Sequence, residues 1–141
     1  MIDFDNRTDF TLETILFEKI LETLSITKDV EFILCDNETI QQMNRDFRGV
    51  DKATDVLSFP FEEVDFAPLG TIVISIDFAH NAAKQYSHRV DEEITLLFIH
   101  GILHLIGMDH ENDDGQMREH EAELINKFSL PSSLIVRTEG V

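Results

Sequence analysis

The sequence predicts an α+β domain: a small mixed β-sheet packed against helices, with one buried central helix that carries two of the chain's six histidines at helical spacing. Three observations lead there. Strand-like and helix-like segments follow one another as strand–helix–strand–helix–strand–strand–helix–helix–helix. The segment from Asp91 to Ile106 is apolar nearly all round, as a helix enclosed on every side should be. With 141 residues, 43% of them hydrophobic and eleven of them Phe, the chain can fill one core, so residues 1–141 read as a single domain.

Residues 1 to 6 alternate apolar and polar, as a short edge strand does. From Thr11 to about Ser25, Leu12, Ile15, Leu16, Ile20, Leu21 and Leu24 recur at helical spacing. "VEFILCD" is a β-rich strand, and "NETIQQMNRDF" a helix with Asp36 or Asn37 as cap and Ile40, Met43 and Phe47 on one side. The loop "RGVDKATD" leads into the strand "VLSFPF", whose Pro60 suits an edge or an end. "LGTIVISI" is a further strand, and "DFAHNAAKQYS" a helix capped by Asp77. The central helix should end at Gly107 in a left-handed cap, and a last helix should run from about Asp114 to Phe128.

Composition narrows the setting. The lone Cys35 lies in an apolar run and reads as a buried structural thiol, and no disulfide framework is possible within one chain. "MIDFDNRTDF" lacks the basic and apolar regions of a signal peptide, and no apolar stretch reaches the 18 residues that suggest a membrane span. A cytoplasmic protein without a membrane partner is the expectation. The net charge of −17, from 11 Lys and Arg against 28 Asp and Glu, argues against nucleic-acid binding in general. It leaves room for a local basic patch, and Arg45, Arg48 and Lys52 fall close together.

The chemistry concentrates in "HGILHLIGMDH", residues 100 to 110. His100 and His104 lie on one helix face, and Gly107 lets the chain turn so that His110 can return as a third ligand. This is the ligand spacing of a metzincin-type zinc peptidase. Three imidazoles with an open fourth position make a catalytic zinc site rather than a structural one, which would want a fourth protein ligand. The plain alternative is three ordinary histidines with backbone partners. The glutamate that serves a peptidase as base is absent, and Gly101 stands there. A glycine inside a helix costs about 1 kcal/mol relative to alanine, so either another backbone packs closely at Gly101 or space beside the metal must stay empty; the two are compatible.

These residues resemble the YbeY family of metal-dependent endoribonucleases, whose motif is H-G-x-L-H-L-x-G-Y-D-H. Upstream, "NRDFRGVDKATDVLSFPFE" at 44 to 62 resembles the family block N-x-x-[YF]-R-x-x-D-x-x-T-[DN]-V-L-S-F-P, and "LGTIVIS" the family strand L-G-D-I-x-I-S. With Met117 and Glu121 in the following helix, the resemblance spans nearly the whole chain. It implies a zinc-binding α+β fold holding one Zn2+ per chain. It also implies single-strand-specific RNA cleavage in maturation of the 3′ end of 16S ribosomal RNA and in ribosome quality control. Ribosomal RNA, small-subunit components and an assembly GTPase are the implied partners, with no role for DNA. By position the metal ligands fall on His100, His104 and His110, and the functional arginine on Arg48. The chain departs from the family at Met108 (usually tyrosine), Thr71 (usually aspartate) and Val50 (often lysine).

The missing base then has a reading. A zinc ion brings the ionisation of water near neutrality by itself, and a phosphodiester mainly needs charge stabilisation and an aligned nucleophile. Arg48 can supply the first, since its planar fork holds phosphate oxygens bidentately. The bland reading of Arg48 is a surface salt bridge to Asp46 or Asp51. Asp109 either orients an imidazole or caps the turn, and Ser58 and Thr54 are candidates for the cleft wall. His80, His88 and His120 read as surface or structural, and the phenylalanines as core rather than a base-stacking platform. Three classes stay open: a zinc endoribonuclease, a metallopeptidase-like hydrolase disfavoured by the missing glutamate, and a non-catalytic ribosome-assembly factor.

Overall fold

The computed structural model describes residues 1–62, 64, 66–109 and 114–131. Within them lie nine elements: β1 (Ile2–Asn6), α1 (Ile15–Thr23), β2 (Val30–Cys35), α2 (Asn37–Arg48), β3 (Val56–Pro60), β4 (Gly70–Ser75), α3 (Ile76–Tyr86), α4 (Val90–Leu105) and α5 (Gln116–Lys127). Their order is the one the periodicity predicts. The sheet runs β1-β2-β4-β3. β1, β2 and β4 are parallel, and β3 is antiparallel to β4, so the sheet is mixed as expected. Both predicted edge strands, β1 and β3, are edges. Pro60 closes β3 where its missing N–H costs least.

Strand alternation sorts the core onto two faces. Phe32 and Leu34 of β2 and Ile72 and Ile74 of β4 face α1 and α4, where the large cluster forms. Phe17, Phe32 and Phe98 meet there with centroids 4.8 to 5.5 Å apart, joining α1, β2 and α4. On the other face Cys35, Leu57 and Val73 pack against Ile40 of α2. α4 is the central helix, with Ile94, Phe98, Ile99, Ile102 and Leu103 fully buried. No helix among the described residues is long and apolar enough to cross a membrane.

Several local expectations are corrected. α1 begins at Ile15 rather than Thr11, because Asn6 holds the preceding chain in a turn: its side chain donates to Phe10 O at 2.7 Å and accepts from Thr8 N at 3.0 Å. α3 is capped by Ser75, not Asp77. Asp77 instead accepts from Asn37 N at 2.8 Å, at the start of α2. Asp36 is the cap of α2, accepting from Thr39 N at 2.9 Å. Phe47 is 73% exposed although it shares a helical side with Ile40 and Met43; it lies on an open apolar groove with Phe59, 5.7 Å away, and Phe61.

Gly107 behaves as predicted. Its φ of +96° is left-handed, and Gly107 N donates to His104 O at 3.0 Å while Met108 N donates to Leu103 O at 3.0 Å. That pair of bonds is a Schellman cap, and it turns the chain back along the last turn of α4.

Candidate functional site

α4 brings the first two histidines together. His100 and His104 are half-buried on a helix otherwise enclosed. Their Nε2 atoms lie 3.1 Å apart. Each ring is held from behind: His100 Nδ1 sits 2.9 Å from Glu121 Oε1, and His104 Nδ1 2.9 Å from Met108 O. The carbonyl can only accept, so His104 donates to it from Nδ1, and in the neutral ring Nε2 then offers a lone pair. The Glu121 carboxylate favours the same arrangement at His100.

Two lone pairs facing one point fit a cation. Nitrogens bound to one tetrahedral zinc at about 2.0–2.1 Å stand roughly 3.3 Å from each other, close to the spacing of this pair. An outer acceptor on each imidazole is likewise what metal-ligating histidines use. The donor set therefore suits zinc. His110, the expected third ligand, lies outside the described residues, and among those residues no set of three His, Cys, Asp or Glu converges.

The histidines line a cleft of about 300 Å³ with Arg48, Asp55, Val56, Ser58 and Pro60. Arg48 reaches it from the last residue of α2, where Gly49 takes a left-handed φ of +73° and ends the helix. Of the two carboxylates beside it in sequence, Asp46 pairs with Arg45 at 3.3 Å and Asp51 accepts from Gln41 at 3.2 Å, while Asp55 shares the cleft with Arg48. Ser58 lines the cleft as expected. Thr54 does not. Its hydroxyl donates to Asp55 Oδ1 at 3.3 Å, and Asp55 takes the wall instead.

Gly101 faces the sheet. A Cβ there would stand 3.1 Å from Ile72 Cγ2 and 3.2 Å from Ser58 Oγ, so close packing explains the glycine, though by side chains and not by the second backbone the sequence suggests. Asp109 is half-buried just beyond the Schellman turn. Glu121 and the Met108 carbonyl each orient one imidazole. The sequence could point to Glu121 only through its place in the following helix.

The departures at Met108 and Thr71 touch the site little. Met108 serves through its main chain, so the identity of its side chain is secondary. Thr71 donates to Glu31 at 2.8 Å from the sheet face that β4 turns away from α4. Of the remaining histidines, His88 has a buried side chain with its Nδ1 2.8 Å from Glu93 Oε1, His80 lies 6.1 Å from the Phe10 ring, and His120 is half-buried near Glu123. The first is a core pair that periodicity did not reveal.

Residues 3–129 match the family described as Endoribonuclease YbeY. The chain is 56% identical over 139 residues to Endoribonuclease YbeY of Nautilia profundicola, with 99% of each chain covered. It is 55% identical over 139 residues to the protein of that name from Aliarcobacter butzleri, covering 97% of this chain and 99% of that one. To the Helicobacter pylori protein of that name it is 50% identical over 139 residues, covering 99% and 98%. The fold is also similar to the solution structure of TM1509 from Thermotoga maritima, with a TM-score of 0.64, 28% identity and 92% of each chain covered. With the paired histidines and Arg48 set in one cleft and relatives of this similarity over nearly the full length, the chain belongs to the endoribonuclease YbeY family.

Proposed function

We propose that this protein is a zinc-dependent, single-strand-specific endoribonuclease that matures the 3′ end of 16S ribosomal RNA and takes part in ribosome quality control in the cytoplasm. Small-subunit components and an assembly GTPase would be its partners. The observation that carries the reading is the convergence of His100 Nε2 and His104 Nε2, 3.1 Å apart, in the same cleft as Arg48.

His100 and His104 would hold the metal through Nε2, with His110 as third ligand. Zinc, when bound, supplies Lewis acidity toward a phosphate oxygen and makes water easier to ionise. The rest falls to the chain. Attack of water on phosphorus and departure of a ribose oxygen increase charge on the non-bridging oxygens. Arg48, which lines the same cleft, would hold two of those oxygens through its planar fork and offset that charge. Glu121 and the Met108 carbonyl keep the two imidazoles turned toward the cleft.

The peptidase alternative loses support, since the residue that would carry a base packs against Ile72 and Ser58. The high negative charge keeps a non-catalytic assembly role worth testing. Zinc-loaded protein should cleave a single-stranded RNA carrying the 16S 3′ end, and a chelator should stop it. Metal-replete protein that binds this RNA without cutting it would overturn the nuclease reading in favour of the assembly role.

A further inference from the structure

We propose that Glu121 is a positioning residue of the metal centre, and that α5 is therefore part of the site as well as a cover for the core. The proposal rests on the reading of His100 as a metal ligand.

Glu121 is 2% exposed and sits in the buried stripe of α5 with Met117, Leu124 and Ile125. An apolar side chain would fill that stripe without the desolvation that a buried carboxylate suffers. The acid instead meets one atom of consequence, His100 Nδ1 at 2.9 Å, from 21 residues along the chain. By accepting that N–H, it keeps the proton on Nδ1 and leaves the Nε2 lone pair directed at the point shared with His104. Its negative charge also makes His100 a stronger donor toward a cation. Behind His104 stands the neutral Met108 carbonyl, so the Glu121 charge enters through His100.

The plain alternative is that this pair merely fastens α5 to α4. Three measurements separate the two roles: zinc affinity by competition with a chromophoric chelator, the His100 tautomer by 15N NMR of metal-free protein, and thermal stability. Glu121→Gln keeps the shape and an accepting oxygen but removes the charge; Glu121→Ala removes both. We expect zinc binding to weaken by about 10-fold in Glu121→Gln and up to about 100-fold in Glu121→Ala, the range known for loss of such outer partners. The His100 proton should stay on Nδ1 in the parent and divide between both nitrogens in Glu121→Ala. If Glu121→Ala does not fold, the isosteric Glu121→Gln decides. Variants that lose thermal stability yet bind zinc as the parent does would overturn the proposal while leaving the metal reading intact. A parent that binds no zinc would overturn both.

Discussion

The Ser58 hydroxyl donates to the main-chain carbonyl of Gly101 at 3.2 Å, fastening the edge strand β3 to the central helix α4 across a gap with no room for a side chain. A methyl at 101 would meet Ile72, which is fully buried and has nowhere to move. On helix propensity alone, Gly101→Ala should stabilise by about 1 kcal/mol. Overpacking costs about 1–3 kcal/mol, so we expect a net loss of about 1 kcal/mol in denaturant unfolding. A stabilised variant would refute the close-packing account of this glycine.

The histidine pair predicts metal content. The purified parent should hold one zinc per chain by elemental analysis, and His100→Ala or His104→Ala should lose most of it with the helical content unchanged. Full occupancy in either variant would remove that residue from the proposed centre.

Arg48→Ala tests the phosphate role. It stands at an exposed helix end and lines the cleft, so fold and zinc content should survive its loss. RNA cleavage should fall by on the order of 10²-fold, the usual effect of removing one preorganised donor. Arg48→Lys should recover only part, because an ammonium lacks the bidentate fork. Undiminished cleavage by Arg48→Ala would end its catalytic assignment.

Burial, and after it the charge of Asp36, pushes the Cys35 thiol up from 9.0 to about 12. The folded protein should therefore resist iodoacetamide at pH 8 and react only as fast as it unfolds. Between pH 9 and 12 the unfolded thiol loses its proton while the folded one keeps it, so this group's contribution to stability falls as pH rises. Rapid alkylation of native protein would show that the β2–β4 face opens readily.

Asp36 caps α2, the helix that delivers Arg48. The Thr39 N–H holds its carboxyl below the usual carboxylate range. A lowered pKa stabilises the fold at neutral pH, and that contribution disappears as pH falls through the lowered value. Asp36→Ala should cost about 1 kcal/mol and Asp36→Asn much less. Equal unfolding midpoints for parent and Asp36→Ala would show that the cap is dispensable.

What local periodicity encodes, the sequence by itself determined. Element order, the enclosed α4, the His100–His104 face and the left-handed turn at Gly107 all follow from where each side chain points off its own backbone. Helical and strand spacing fix that direction without reference to any other segment. The endoribonuclease relationship was legible for the same reason, since its motifs are contiguous strings. Pairing between distant segments was decided only in the tertiary structure. Glu121 reaches His100 because α5 crosses α4 at that turn. Asp55 rather than Thr54 lines the cleft, and Phe47 stays exposed on an open groove beside Phe59. Of the two reasons Gly101 could have had, β3 and β4 chose close packing. In each case the deciding quantity is the position of a residue on another element, a distance that no residue's own backbone preference contains.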